Sequence, residues 1–310
     1  MAKKVMIDCD IGVDDALALI LAFHSPELSV EAVTGVNGNV PVRLVLKNTK
    51  KVLDLLQPAT RPLIAKGADR PLGGDPVYAF SFHGKTGLGK AKLEQKRQKP
   101  AWQLSSDPAD ELITKMARLH PDEVTLIAIG PLTNLALGLQ KDPEGMNKLK
   151  EIIIMGGAVR VKGNVTPHAE FNIFVDPGAA RKVFESGLPI TLVPLDVTHQ
   201  VDLTPQVMEE KIHRLHDRFS KFVLEATQYD QDTHRFVMGR EVFHLHDPLA
   251  IAVAIRLDLV GTERLFMDVE TREGEYFGQT REVKGGFPME VCLSVRAEDF
   301  LELFLSRLSM

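Results

Sequence analysis

One stretch constrains this chain more than any other: Val5-Met6-Ile7-Asp8-Cys9-Asp10-Ile11-Gly12-Val13-Asp14-Asp15-Ala16, a hydrophobic strand that runs straight into four carboxylates. Asp8 and Asp10 share strand parity, so a strand reaching that far presents both on one face. Gly12 permits a sharp turn, and Asp14 and Asp15 then open a helix continuing through Ala22. Negative charge is thereby crowded at the carboxyl end of a strand, where each carboxylate raises the others' protonation. A hard cation removes that cost, and calcium accepts about six to eight oxygen ligands. The structural alternative is that Asp14 and Asp15 only complement the helix dipole while Asp8 and Asp10 cap turns.

The rest of the chain repeats the strand-then-helix order. Apolar strands are expected at 28–36, 62–65, 124–129, 151–155 and 190–193, with helices over 43–56, 108–119, 132–139 and 177–186. Strands that are apolar without alternation belong in a sheet covered on both faces, so the fold class is α/β: a Rossmann-like, mostly parallel central sheet flanked by helices. Functional residues then gather where strands end and loops begin. The last third is more helical, over 205–229, 248–257 and 297–308, with two strand-like pieces at 265–270 and 289–295. From Gly67 to Leu104 the pattern dissolves into Gly, Pro and Lys, and a loop that long inside a compact chain is usually functional. No repeat or linker interrupts the 310 residues, which read as a single domain, 1–310.

Composition excludes several classes. Hydrophobic residues make up 44% and charged residues 25%, enough apolar surface for a core and no signature of disorder. The net charge is -5 with scattered basic residues, so no nucleic-acid footprint is expected; the basic run from Lys85 to Lys99 reads as a solvated segment. No apolar stretch is long enough to span a bilayer, and the N-terminus lacks an export signal, which points to a cytoplasmic protein. Cys9 and Cys292 read as reduced core residues, and Asn164-Val165-Thr166 as an accidental sequon.

The polar residues expected at strand ends form one chemical set: Asp10, Asp14 and Asp15; Asn39; Ile129 to Asn134; Met155-Gly156-Gly157; Asn164 with Glu170 and Asn172; and His246-Asp247-Pro248. Carboxylates and amides without Lys or Arg suit a neutral, hydroxyl-rich ligand such as a sugar. Here the chain resembles the inosine-uridine-preferring nucleoside hydrolases. The resemblance rests on Asp8-x-Asp10-x-Gly12-x-Asp14-Asp15-Ala16, Gly38-Asn39-Val40, His83-Gly84-x-x-Gly87-Leu88-Gly89, Gly130-Pro131-Leu132-Thr133-Asn134, Met155-Gly156-Gly157, Glu170-x-Asn172 and His246-Asp247-Pro248, in order along the chain. Ile11 departs from the Pro frequent at that place and removes no ligand.

The resemblance implies hydrolysis of the N-glycosidic bond of ribonucleosides. It implies calcium held by Asp10, Asp15, Asp247 and the carbonyl of Ile129, with Asp10 as general base for a calcium-activated water. Asp14, Asn39, Asn164, Glu170, Asn172 and Asp247 would grip the ribose hydroxyls with Met155 packing nearby, and Glu170 and Asn172 share a face if that piece is extended. His246 is the first candidate acid for the leaving base and His83 a second, both facing the base; the helix around Thr227, Tyr229 and Gln231 could meet it as well. A homodimer or homotetramer is also implied. Two rivals are weighed: a nucleoside-binding protein without turnover, and a haloacid-dehalogenase-like phosphatase, whose motif Asp8-x-Asp10 resembles but which needs a phosphate-neutralising Lys and a later acidic pair and expects Thr or Val where Gly12 stands. His244-x-His246 hints at zinc but lacks a cysteine or third histidine. Gly84-Lys85-Thr86 lacks the earlier Gly of a phosphate-binding loop.

Overall fold

The computed structural model describes residues 2–93, 102–238 and 242–308, with 229–238 as backbone alone. Among the described residues eleven strands run in chain order: β1 Lys3–Cys9, β2 Leu28–Gly35, β3 Leu63–Lys66, β4 Thr125–Ala128, β5 Glu151–Met155, β6 Ile190–Val193, β7 Asp202–Leu203, β8 Phe243–His244, β9 Val260–Val269, β10 Thr280–Glu282 and β11 Phe287–Val295. Nine of them form one sheet in the order β10-β9-β11-β6-β5-β4-β1-β2-β3, while β7 and β8 pair separately. From β3 across to β11 every pairing is parallel; β9 and β10 add an antiparallel edge.

Within that sheet the first six strands stand in the order 3-2-1-4-5-6. In such a sheet the connections leave β1 and β4 in opposite directions, and a crevice opens beyond their carboxyl ends. Asp10 immediately follows β1 and Ile129 immediately follows β4, so the chain order itself delivers both to the crevice.

The unbroken apolarity of the inner strands has a direct cause. Val5, Ile7 and Cys9 of β1 pack into one hydrophobic cluster and Met6 into the other; Ile127 of β4 and Ile153 of β5 join the first, while Leu126, Ile152 and Ile154 join the second. Alternate residues serve opposite faces, and both faces are covered. Helix Val13–Phe23 is buried from Val13 to Ala22 because it packs against helix His246–Ile255 and the last helix, Ala297–Leu308. The two helices whose first turns carry Asp14, Asp15 and Asp247 thus brace each other. Cys9 and Cys292 are buried free thiols.

Three expectations are corrected. The helix expected over 205–229 is broken: a π-helical turn, Met208–Ile212, leads into a 3-10 turn, His216 takes a left-handed φ of 51°, and the long helix Arg218–Met238 follows. Asp217 starts it afresh, its Oδ1 accepting from the N–H groups of Phe219 and Ser220 at 2.8 and 2.7 Å. β9 begins at Val260 rather than Leu265, because its first half is exposed and carries no apolar alternation. β1 ends at Cys9, so Asp10 lies beyond the strand and the shared parity of Asp8 and Asp10 does not decide their directions. Of the basic run 85–99, residues 94–99 lie outside the described residues.

Candidate active site

The turn after β1 is built by its own carboxylates. Asp15 accepts the Asp10 N–H at 3.0 Å on Oδ1 and the Gly12 N–H at 2.7 Å on Oδ2, an acidic third residue reaching back over the helix start. Asn39, delivered by the turn after β2, donates its backbone N–H to Asp10 Oδ2 at 2.6 Å. Its Nδ2 lies 3.2 Å from both Asp10 Oδ1 and Asp15 Oδ2. A Cβ on Gly38 would stand 2.0 Å from Asp10 Oδ2, so the turn closes on the carboxylate only with glycine there. Asp8, by contrast, turns to Thr34 Oγ1 and Asn134 Nδ2, and burial pushes its carboxyl up to about 7. It holds strands β1, β2 and the 133–141 helix together.

Asp10, Asp15 and Asp247 are buried at 0, 0 and 2% exposure. Burial pushes Asp10 and Asp247 well above the usual carboxylate range and Asp15 to about 6, with repulsion from neighbouring carboxylates adding to all three. Asp14, Asp15 and Asp247 each bring one oxygen within 4.8 Å of the others. The Ile129 carbonyl faces the same region, accepting from Asn172 Nδ2 at 3.1 Å. Buried, mutually repelling oxygen donors with no Lys or Arg among the described residues of the lining fit a hard divalent cation. The converging trio contains Asp14 where Asp10 was expected, and the Asp10 carboxylate is tied to Asn39.

Above the carboxylates lies a cavity of about 590 Å³ lined by Asp14, Asn39, His83, Ile129, Met155, Asn164, Glu170, Asn172, His246 and Asp247, among others. Glu170 and Asn172 do not sit on an extended piece. Glu170 caps helix Phe171–Val175, its carboxylate accepting from the N–H groups of Asn172 and Ile173 at 2.9 and 3.1 Å and from Gly157 at 3.0 Å. A helix start, not strand parity, brings the two side chains together, because an acidic residue satisfies the helix's unpaired N–H groups. Burial raises the Glu170 carboxyl, and those three N–H groups pull it part of the way back. Asn164 Oδ1 accepts the Phe171 N–H at 3.0 Å, tying its loop to that helix.

His83 reaches the cavity from the long loop, and His246 is held at Nδ1 by Thr198 Oγ1 at 2.7 Å. The third histidine missing beside His244 and His246 is present in space: His199, 45 residues before His244, also lines the cavity. No spacing rule links it to the other two, so the sequence carried no signal for it. Among the described residues only the carboxylate trio brings three ligand atoms within 4.8 Å of one another; the three imidazoles do not converge that closely. Phe82, Phe171 and Phe243 add apolar wall that no motif marked. Thr227, expected to meet a base, is fully buried with its hydroxyl donated to the Val223 carbonyl at 2.8 Å; the side chains of Tyr229 and Gln231 lie outside the described residues.

The family model described as inosine-uridine preferring nucleoside hydrolase matches residues 5–302. A pyrimidine-specific ribonucleoside hydrolase of Klebsiella pneumoniae is 39% identical over 316 residues, covering 100% of this chain and 99% of the relative. Among solved structures, a plant nucleoside hydrolase superposes with a TM-score of 0.92 at 31% identity, covering 100% and 99% of the two chains. A purine-preferring ribonucleoside hydrolase from Gardnerella vaginalis also reaches 0.92 at 31% identity, covering 99% and 98%.

Proposed function

The chain belongs to the inosine-uridine preferring nucleoside hydrolase family, metal-dependent enzymes that hydrolyse the N-glycosidic bond of ribonucleosides, and on that premise we propose which residues carry the reaction and which substrates it serves. The observation that bears most weight is the buried carboxylate group at the floor of the cavity, with amides and a glutamate around it. The metal would be calcium, and Asp10, Asp15, Asp247 and the Ile129 carbonyl would hold it. When bound, it supplies a positive charge that offsets the carboxylates and makes a neighbouring water more acidic. Asp14 stands at ligand distance too and serves the sugar hydroxyls from the same spot.

Breaking the C1′–N bond builds oxocarbenium character on the ribose, which a ring of carboxylates stabilises. Asp10 takes the proton of the attacking water as general base, its position fixed by two hydrogen bonds from Asn39. Asp14, Asn39, Asn164, Glu170, Asn172 and Asp247 orient the ribose, with Met155 packed beneath. His246 donates the proton that neutralises the departing base, and His83 assists from the opposite element. Pyrimidine ribosides are the favoured substrates, supported by the 39% identity to a pyrimidine-specific hydrolase. The protein works as a single domain in the cytoplasm, as a homodimer or homotetramer.

Ribose release from uridine and inosine, followed with and without a chelator, tests this reading. Expected is turnover of uridine above inosine, lost on chelation and restored by calcium. Nucleoside binding without ribose release would return the protein to the class of binding proteins.

A further inference from the structure

Three imidazoles stand together on one wall of the cavity, and the reaction proposed above uses one of them. His199 follows helix Leu195–Thr198, His244 ends β8, and His246 opens the next helix. Their ring centroids lie 4.7 Å apart for His199 and His244, 5.4 Å for His244 and His246, and 5.6 Å for His199 and His246. All three line the cavity. A cluster of rings this tight, outside any metal geometry, calls for another account.

The cluster is braced from behind. β7 and β8 pair Asp202 with His244, and Asp202 Oδ1 lies 2.5 Å from His244 Nδ1. A carboxylate only accepts, so the Nδ1 edge of His244 carries a hydrogen toward Asp202 and the Nε2 edge faces away from it. An imidazole with a carboxylate on one nitrogen is held in one orientation. Thr198 Oγ1, a hydroxyl that can donate or accept, lies 2.7 Å from Nδ1 of His246, and His199 is the next residue along. Asp202 itself is not part of the cavity lining, so it reaches the substrate only through the rings.

We propose that Asp202, His244 and His199 are positioning residues for protonation of the departing nucleobase: Asp202 fixes the His244 ring, and the His244 and His199 rings together hold His246 at the base end of the cavity. This rests on the role given to His246 above. In that step the C1′–N bond breaks with its electron pair going to the base nitrogen. The proton this nitrogen gains leaves His246, the water oxygen joins C1′, and the water's proton goes to Asp10. Asp202, His244 and His199 gain and lose nothing.

A leaving group that needs no proton separates this role from a structural one. Uridine and 4-nitrophenyl riboside share the ribose, but 4-nitrophenoxide departs as a stable anion. Expected for Asp202→Ala and for His244→Gln is a fall of about tenfold in kcat on uridine, with kcat on 4-nitrophenyl riboside within about twofold of wild type. An equal loss on both substrates, or unchanged turnover of uridine, overturns the proposal; retained cleavage of the nitrophenyl riboside reports that the variant is folded. His246→Ala, measured alongside, divides the readings. If it shows no uridine-selective loss, the role of His246 fails; if it shows one and the other two variants do not, only the positioning role fails.

Discussion

The backbone N–H of Val13 donates to Nδ1 of His83 at 3.1 Å, joining two residues 70 apart in sequence. An N–H at a helix start has no partner within the helix, and here a loop side chain supplies it. Because Nδ1 accepts, the neutral ring carries its hydrogen on Nε2, the edge turned from the helix. The bond makes the long loop after β3 a wall of the cavity, attached to the very turn that presents Asp14 and Asp15.

Gly12 sits under that contact, and a Cβ there would stand 2.7 Å from both His83 Nδ1 and Asn39 Nδ2. Its backbone is one any residue adopts, so strain is not the issue; the collision with two cavity residues is. Gly12→Ala is expected to lower kcat/KM on uridine by about 10² while the melting temperature falls only a few degrees, since misplacement near 1 Å costs that much in rate. Kinetics and a melt on one preparation check it, and an Ala variant with wild-type kcat/KM would show that His83 and Asn39 need not hold these positions.

The carboxylate floor repels itself unless a cation sits on it. Asp247→Asn removes one charge that burial and Asp14, Asp15 and Asp10 all disfavour. In chelator the variant is therefore expected to melt a few degrees above wild type, while wild type alone gains from calcium, by about 2.7 kcal/mol when the ion is about 100 times its Kd. Asp10→Asn is expected to abolish turnover with the fold intact, a loss of at least about 10² to 10⁴ for a general base. Melts with and without calcium, beside ribose-release assays, decide both; a wild-type protein indifferent to calcium would remove the cation from the reading.

A second consequence concerns the sugar. Asp14, Asn39, Glu170 and Asn172 are all buried, and a missing hydroxyl leaves such groups without a partner. Uridine is expected to exceed 2′-deoxyuridine by roughly 10⁴ in kcat/KM, as sites that hydrogen-bond a hydroxyl reject its absence. Comparable rates for this matched pair would mean that the polar ring does not face the ribose.

What the sequence disclosed and what it hid divide along a physical line. Inner strands such as Glu151–Met155 and Ile190–Val193 were legible to the residue, because burial on both faces leaves a run of apolar residues bounded by turn signals. Asn39 and His246, which line the cavity, stand in motifs that local turn chemistry marks in the sequence. The helix that Glu170 caps left no helical signal, since helices of five residues have too little length to show a period of 3.6. His199 and Asp202 were hidden because their meaning depends on β7 meeting β8, a pairing of two-residue strands about 40 residues apart that no periodicity announces.

The antiparallel edge of the sheet offers a test of how the substrate loop is held. Gln279 bridges to Ala169, and the Tyr276 ring stands 4.6 Å from that of His168, so the segment between β9 and β10 backs the loop that carries Asn164 and Glu170. Glu270 anchors this segment. Arg272 binds it through Nε at 2.9 Å and Nη2 at 2.8 Å, with Arg281 at 3.2 Å, and hydrogen bonds from Arg272 hold its carboxyl down at about 2. A carboxyl whose folded value lies below its unfolded one, about 4.3, stabilises the fold above that pH and loses its contribution as pH falls toward 2. Glu270→Gln should therefore melt below wild type at pH 7, modestly because Arg272, its main partner, is largely in solvent, and the gap should shrink as pH falls from about 5 to about 2. Added salt should shrink it as well. Thermal melts across that range read it directly: a gap indifferent to pH and salt would mean that packing, not the ion pairs, holds the segment.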